Sequence, residues 1–234
     1  MKKHALALGL GILGMFCMAA DTQPATKPFK LDNDGFIVNW LLLDPIAIKD
    51  LSDHSEEAEK PILAKEYFKG QTTVTPKAGE KVTISGAEAG TPGSPGKELS
   101  WREFKADDFQ VDLEKFANDH NNDPTSCLFW GVAYVIAPEE IKDVKLAIGS
   151  DDSSVWWVND KEVIRVYSGR AVTQDEDSSK PLTLKKGINV VRFVVTQGDG
   201  PTGACARFFD AADKPVKNLT VTLDPPPPAT SPAK

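Results

Sequence analysis

Residues 146–166, LAIGSDDSSVWWVNDKEVIRV, leave a folding chain few choices. Val144, Leu146 and Ile148 alternate with Lys145 and Ala147, the period-2 pattern of a strand with one buried face. The run Ser150-Asp151-Asp152-Ser153-Ser154 interrupts that pattern with side chains that hydrogen-bond their own backbone in turns. Alternation resumes at residues 155–158, and Asn159-Asp160 is a pair that tolerates the positive φ of a two-residue hairpin loop. Residues 162–166 then run back. The stretch reads strand, acidic turn, strand, tight turn, strand, and its apolar faces need further strands to pack against.

The rest of the chain supplies them. Residues 36–43 (FIVNWLLL) form an apolar run that Asp44-Pro45 stops. Residues 71–75, 81–84 and 99–104 have strand character, the last around Trp101. Residues 127–136 (CLFWGVAYVI) are apolar throughout, as in a strand covered on both faces. Residues 182–184 and 188–196 (INVVRFVVT) flank a glycine turn at Gly187, and 204–209 and 219–223 close the set. Only residues 50–67 show a helical stripe, a weak one through Ala58, Ile62 and Leu63. About ten short strands, turn signals every 8–12 residues and no strand–helix alternation predict an all-β sandwich or barrel. One domain over residues 30–223 accounts for the pattern.

The ends read differently. Lys2, Lys3 and His4 precede 16 apolar residues at 5–20 that close on Ala19 and Ala20. That is the form of a signal peptide over residues 1–20, too short for a membrane anchor, and it predicts a secreted or periplasmic protein. Cys17 follows Phe16 rather than the small residue that lipid attachment needs. Residues 21–29 form a polar, flexible leader, and 224–234 (DPPPPATSPAK) a disordered Pro-rich tail with nothing to bury. Without Lys2 and Lys3 the chain has 25 basic against 34 acidic groups, net −9. Such a balance excludes nucleic acid, whose phosphates need a basic face, and membrane insertion is not expected. Two cysteines remain, Cys127 and Cys205; an oxidising compartment permits a disulfide between them, and two buried thiols are the alternative.

No catalytic signature emerges, and the chain is read as a non-enzyme. Gly96-Lys97 has the wrong spacing and too many prolines for a phosphate loop. Asp119, Asn121 and Asp123 match the opening of an EF-hand loop, but Pro124 replaces its glycine and Trp130 its closing glutamate. Beyond His4 there are only His54 and His120, each in a charged loop with no nucleophile elbow nearby.

Several stretches together resemble a known group. They are FIVNWLLLDP at 36–45, YVIAPEE at 134–140, Gly149-Ser-Asp-Asp followed by Val155-Trp-Trp-Val-Asn-Asp-Lys, GRAVTQD at 169–175, and LKKGIN at 184–189. In order and spacing the chain resembles the jelly-roll, galactose-binding-like modules of exported bacterial proteins, relatives of the PA14 and glycoside hydrolase family 2 sugar-binding modules. The resemblance implies a jelly-roll β-sandwich with at most one or two short helices. It also implies a partner, a glycan or cell-surface polysaccharide. In some PA14 modules an adjacent Asp-Asp pair holds Ca²⁺, which in turn binds sugar hydroxyls; here that pair is Asp151 and Asp152. In others the pair is a structural turn whose carboxylates cap backbone amides. This chain departs from the pattern at Ser153, where a glycine is usual, at Asp160, and at residues 198–203 (GDGPTG), which lack an aromatic.

Four residues are therefore candidates for carbohydrate binding: Asp151, Asp152, Trp157 and Asn159, the first two also for Ca²⁺. Trp156 shares its strand face with Val158 and belongs to the core. Trp157, on the opposite face, is either an exposed platform for a sugar ring or packed beneath a loop. Two functions from different classes follow: a glycan-binding module, with Ca²⁺ as an optional aid and no required cofactor, or a structural sandwich whose partner is another exported protein.

Overall fold

The computed structural model describes residues 27–49, 51–84 and 96–227. The expected signal peptide, most of the leader, nearly all of the Gly/Pro loop at 86–96 and the end of the Pro-rich tail lie outside the described residues.

In chain order the elements are β1 (Phe29–Lys30), β2 (Asn39–Leu43), β3 (Ile46–Ala47), α1 (Glu56–Ala64), β4 (Lys81–Ile84), β5 (Lys97–Lys105), β6 (Val111–Asp112), α2 (Leu113–Asp119), β7 (Cys127–Ala137), β8 (Ile141–Asp151), β9 (Ser154–Val158), β10 (Lys161–Val166), β11 (Asp177–Ser178), β12 (Leu182–Leu184), β13 (Gly187–Gln197), β14 (Gly203–Phe209) and β15 (Thr220–Thr222). Among them are two short helices, and every strand pair is antiparallel. The fold is an all-β sandwich. Its larger sheet runs β10-β9-β13-β7-β2-β5-β4, with β3 and the pair β15-β1 also on β7. The smaller runs β11-β8-β14-β6, with β12 on β8.

The larger sheet is covered on both faces, which explains its unbroken apolar strands. Its spine is the pairing of β7 with β13, which holds register from Gly187↔Ala137 to Gln197↔Cys127. On the face toward the smaller sheet, Trp40, Phe129, Trp156 and Phe193 meet Leu146, Ile148 and Phe208. Trp156 sits with its ring centroid 4.9 Å from that of Phe193. Gly131 is needed there, since a Cβ would stand 2.3 Å from the Phe193 ring. On the outer face, Leu41, Leu43, Trp101, Trp130 and Trp157 form a second core with Leu63, Tyr67 and Phe68 from α1 and the segment after it. Each large apolar side chain so buried contributes about 2–3 kcal/mol.

Local chemistry sets the boundaries. Ser55 caps α1, its hydroxyl accepting from the Ala58 amide at 3.3 Å. Asp112 caps α2 by accepting from the Lys115 amide at 2.7 Å. Asn159 and Asp160 turn the β9–β10 hairpin with φ of 49° and 66°, and Val158 pairs with Lys161. Residues 71–75 are not the expected strand. Their carbonyls serve a side chain instead: Arg192 donates to Val74 O at 2.6 Å and Thr73 O at 2.9 Å.

Of the two alternatives for the cysteines, the structure has the two buried thiols. Cys127 and Cys205 are both free and buried. They lie in opposite sheets, on β7 and β14, and the Cys127 thiol donates to Pro124 O at 3.1 Å. Burial pushes both thiols up, Cys205 to about 12.

Candidate functional site: the Asp151–Asp152 crossing

The acidic turn proves to be a crossing between sheets rather than a hairpin. Strand β8 ends in the smaller sheet at Asp151, where Gly203 pairs with it, and β9 begins in the larger sheet at Ser154 beside Val195. The Asp151–Asp152 peptide bond is cis. Each polar side chain here has a task. The Ser150 hydroxyl donates to Asp152 O at 2.9 Å and lies 2.8 Å from the Ser154 hydroxyl, which accepts from Trp156 Nε1 at 3.0 Å. Thr202 Oγ1 donates to Asp151 O at 2.6 Å. Ser153, standing where glycine is usual, accepts from the Ser168 amide at 2.8 Å and so ties down the next loop.

The two carboxylates differ in their surroundings. Asp152 is 11% exposed at its side chain, with Oδ2 3.3 Å from His54 Nε2. Its Oδ1 accepts from the Arg170 amide at 3.1 Å and its Oδ2 from the Gly198 amide at 3.5 Å. Asp151 is partly exposed and adjoins Asp152. Burial, then the neighbouring charge of Asp152, pushes its pKa up to about 7.

Sequence reasoning did not find the groups that surround this pair. His54 comes from the segment before α1; its Nδ1 lies 2.7 Å from Glu59 Oε1, while Nε2 faces Asp152. Glu59 has no exposed surface, takes a hydrogen bond from Thr196 Oγ1 at 3.0 Å, and leaves Oε2 without a partner. Gly198 makes room for this arrangement: a Cβ would stand 2.5 Å from Leu51 O and 2.9 Å from His54 Nε2. Arg170 closes the other side, donating to Ser150 O at 3.1 Å, to the Ser150 hydroxyl at 3.0 Å and to Asp177 Oδ2 at 2.6 Å. Arg170 lay inside the GRAVTQD stretch, but nothing local tied it to Ser150. His54 and Asp152 are 98 positions apart, and no sequence pattern joins them.

The four sequence candidates do not converge. Asp151 and Asp152 share this end. Asn159 lies at the far end of β9, where Nδ2 donates to Asn189 Oδ1 at 2.8 Å and Oδ1 accepts from the Val190 amide at 3.0 Å. Both polar atoms of that side chain are committed to the turn. Trp157 is 5% exposed and stacks on Trp130, centroids 5.6 Å apart and planes 15° from parallel. It offers no face to a sugar, because α1 and the segment after it cover that side of the sheet.

The donor set does not fit a calcium ion. Ca²⁺ takes six to eight oxygens, whereas the Asp152 carboxylate is already turned onto N–H groups and His54. Among the described residues no cluster of three or more His, Cys, Asp or Glu side chains could hold a metal. A serine triad has no footing here either, since both His54 nitrogens face carboxylates and neither can take a proton from a hydroxyl.

No family model matches the chain, and no curated protein matches it. Among solved structures it is similar to the PA14 domain of the antifreeze protein MpAFP, with 12% identity and a TM-score of 0.40 over 91% of this chain and 100% of that one. It is similar to the PA14 sugar-binding domain of an RTX adhesin at 14% identity and TM-score 0.35, over 74% and 89% respectively. It is also similar to an anti-sigma factor domain-containing protein at 12% identity and TM-score 0.42; it aligns over 58% of its own length and spans 46% of that chain.

Proposed function

We propose that this chain is an exported, non-catalytic module that binds a glycan without a metal, at the end of the sandwich carrying Asp151. The observation that carries the reading is the Asp151 carboxyl. It is partly exposed, rigidly seated on the crossing, and poised with a pKa of about 7. A carboxyl in that range both donates and accepts near neutral pH, and sugar hydroxyls offer partners for either role. Asp152 lies beside it, and the Arg170 guanidinium offsets part of the charge.

A second reading has its own support. The capped Asp152 carboxylate and the packed Trp157 are what a structural sandwich with another exported protein as partner would display. Calorimetric melting with neutral oligosaccharides, in Ca²⁺ and in EDTA, separates the two. A native-state ligand at 100 times its Kd adds about 2.7 kcal/mol. The glycan reading expects that rise with one sugar class, equal in both buffers and absent from Asp151→Ala. No rise with any sugar would leave the structural reading, and a rise confined to Ca²⁺ would overturn the metal-free site.

A further inference from the structure

The larger sheet is split along one edge of β7. There β2 pairs with β7 through Leu41↔Val132 and Leu42↔Gly131, and β15 takes over the same edge from Thr222↔Tyr134 onward. Each brings its own outer neighbour, β5 beside β2 and β1 beside β15. Between the β2–β5 ends and β1 lies a cleft of about 420 Å³, within the range of small-ligand sites. Along the strands it is remote from the acidic crossing. Asn39 lies level with Tyr134 and Val190, six positions along β13 from Thr196, whose carbonyl accepts from the Asp152 amide at 3.0 Å. Six strand positions span about 20 Å.

Three features of the cleft point to a ligand. Asn39 lines it and is 4% exposed, and no side-chain hydrogen bond ties its amide to another described residue. A ligand bearing hydroxyls would give that amide both an acceptor and a donor. Phe29, on the lip, is 38% exposed, the most exposed large apolar side chain among the described residues. Finally, the charges are mixed: Lys30 and Lys105 stand against Asp32, Asp107 and Asp108. Asp108 Oδ1 is held by the Gln110 amide at 2.8 Å, and Asp32 Oδ1 by those of Asp34 and Phe36 at 2.9 and 2.7 Å. Opposite signs side by side select no strongly charged ligand, but they offer donors and acceptors around a ring.

We propose that this cleft binds a neutral saccharide, Asn39 hydrogen-bonding its hydroxyls and Phe29 covering one face of its ring. The inference rests on the glycan reading of the module and adds a second place for the glycan. Isothermal titration calorimetry with cellohexaose, mannohexaose, xylohexaose and a β-galactan oligosaccharide tests it on the wild type and on Phe29→Ala, Asn39→Ala, Asp151→Ala and the exposed control Lys161→Ala. Phe29→Ala and Asn39→Ala are each expected to weaken one saccharide about tenfold, and the control to leave it unchanged. Phe29 lies at the surface, so its variant decides the matter even if Asn39→Ala fails to fold. Unchanged affinity in Phe29→Ala overturns the cleft. If Asp151→Ala alone then abolishes binding, the glycan reading stands without it. No binding of any of the four oligosaccharides overturns both.

Discussion

His54 Nδ1 lies 2.7 Å from Oε1 of Glu59, a carboxylate with no exposed surface. Through this contact the segment before α1 is fixed against the crossing between the two sheets, since the other ring nitrogen faces Asp152. Truncating one member of such a buried set strands the rest. His54→Ala leaves Glu59 with Thr196 as its only hydrogen-bond donor, and about 3–5 kcal/mol of stability is expected to go. Equilibrium urea unfolding measures it. A double-mutant cycle with Glu59→Gln should return a coupling above about 1 kcal/mol; additive losses would show that the contact is incidental.

The pH dependence of stability follows from Asp151. Its carboxyl is raised from 3.8 to about 7, by burial first and by Asp152 second. The folded state therefore holds a proton between about pH 4 and 7 that the unfolded chain has lost. This contribution is fully present below pH 4 and disappears as pH rises through 7. Asp151→Asn is neutral throughout, so its melting temperature should gain on the wild type from pH 4 to 7 and keep a constant lead above pH 8. Parallel curves across that window would refute the assignment.

Arg192 anchors the cover of the outer core. Its side chain has no exposed surface and bonds Asp160 at 2.7 Å, besides the carbonyls of Thr73 and Val74. Arg192→Ala leaves two carbonyls without donors and frees the segment after α1, an expected loss of about 3 kcal/mol in urea unfolding. Asp160 is 58% exposed, so Asp160→Asn should cost under about 1 kcal/mol. Equal losses would mean that the ion pair, not the carbonyl contacts, holds the segment.

The two thiols give a direct chemical check. Cys127 and Cys205 are free, buried and pushed well above ordinary thiol pKa values. Native protein at pH 8 should react with a thiol reagent only as fast as it opens, and denatured, unreduced protein should release both thiols at once. Release of neither thiol after denaturation would establish a bridge between them.

What could be read from sequence was what neighbours along the chain decide. The hairpin at Asn159-Asp160 was legible because positive φ is a local property, and Trp156 could be assigned to the core because side chains alternate along a strand. The apolar run at 127–136 declared a strand covered on both sides. Whether Trp157 met solvent or protein was decided by α1 and the residues after it, some ninety positions earlier. The residues just before α1 carry His54 to Asp152 and so take the surroundings a cation would need. The cleft that Asn39 lines exists because β2 and β15 succeed one another along β7, a consequence of how distant strands share an edge. Alternation, turn chemistry and apolar runs settle the strands, since each depends on a few adjacent residues. The site depends on side chains brought together from distant positions, and only the packed sandwich with its covering segment brings them there.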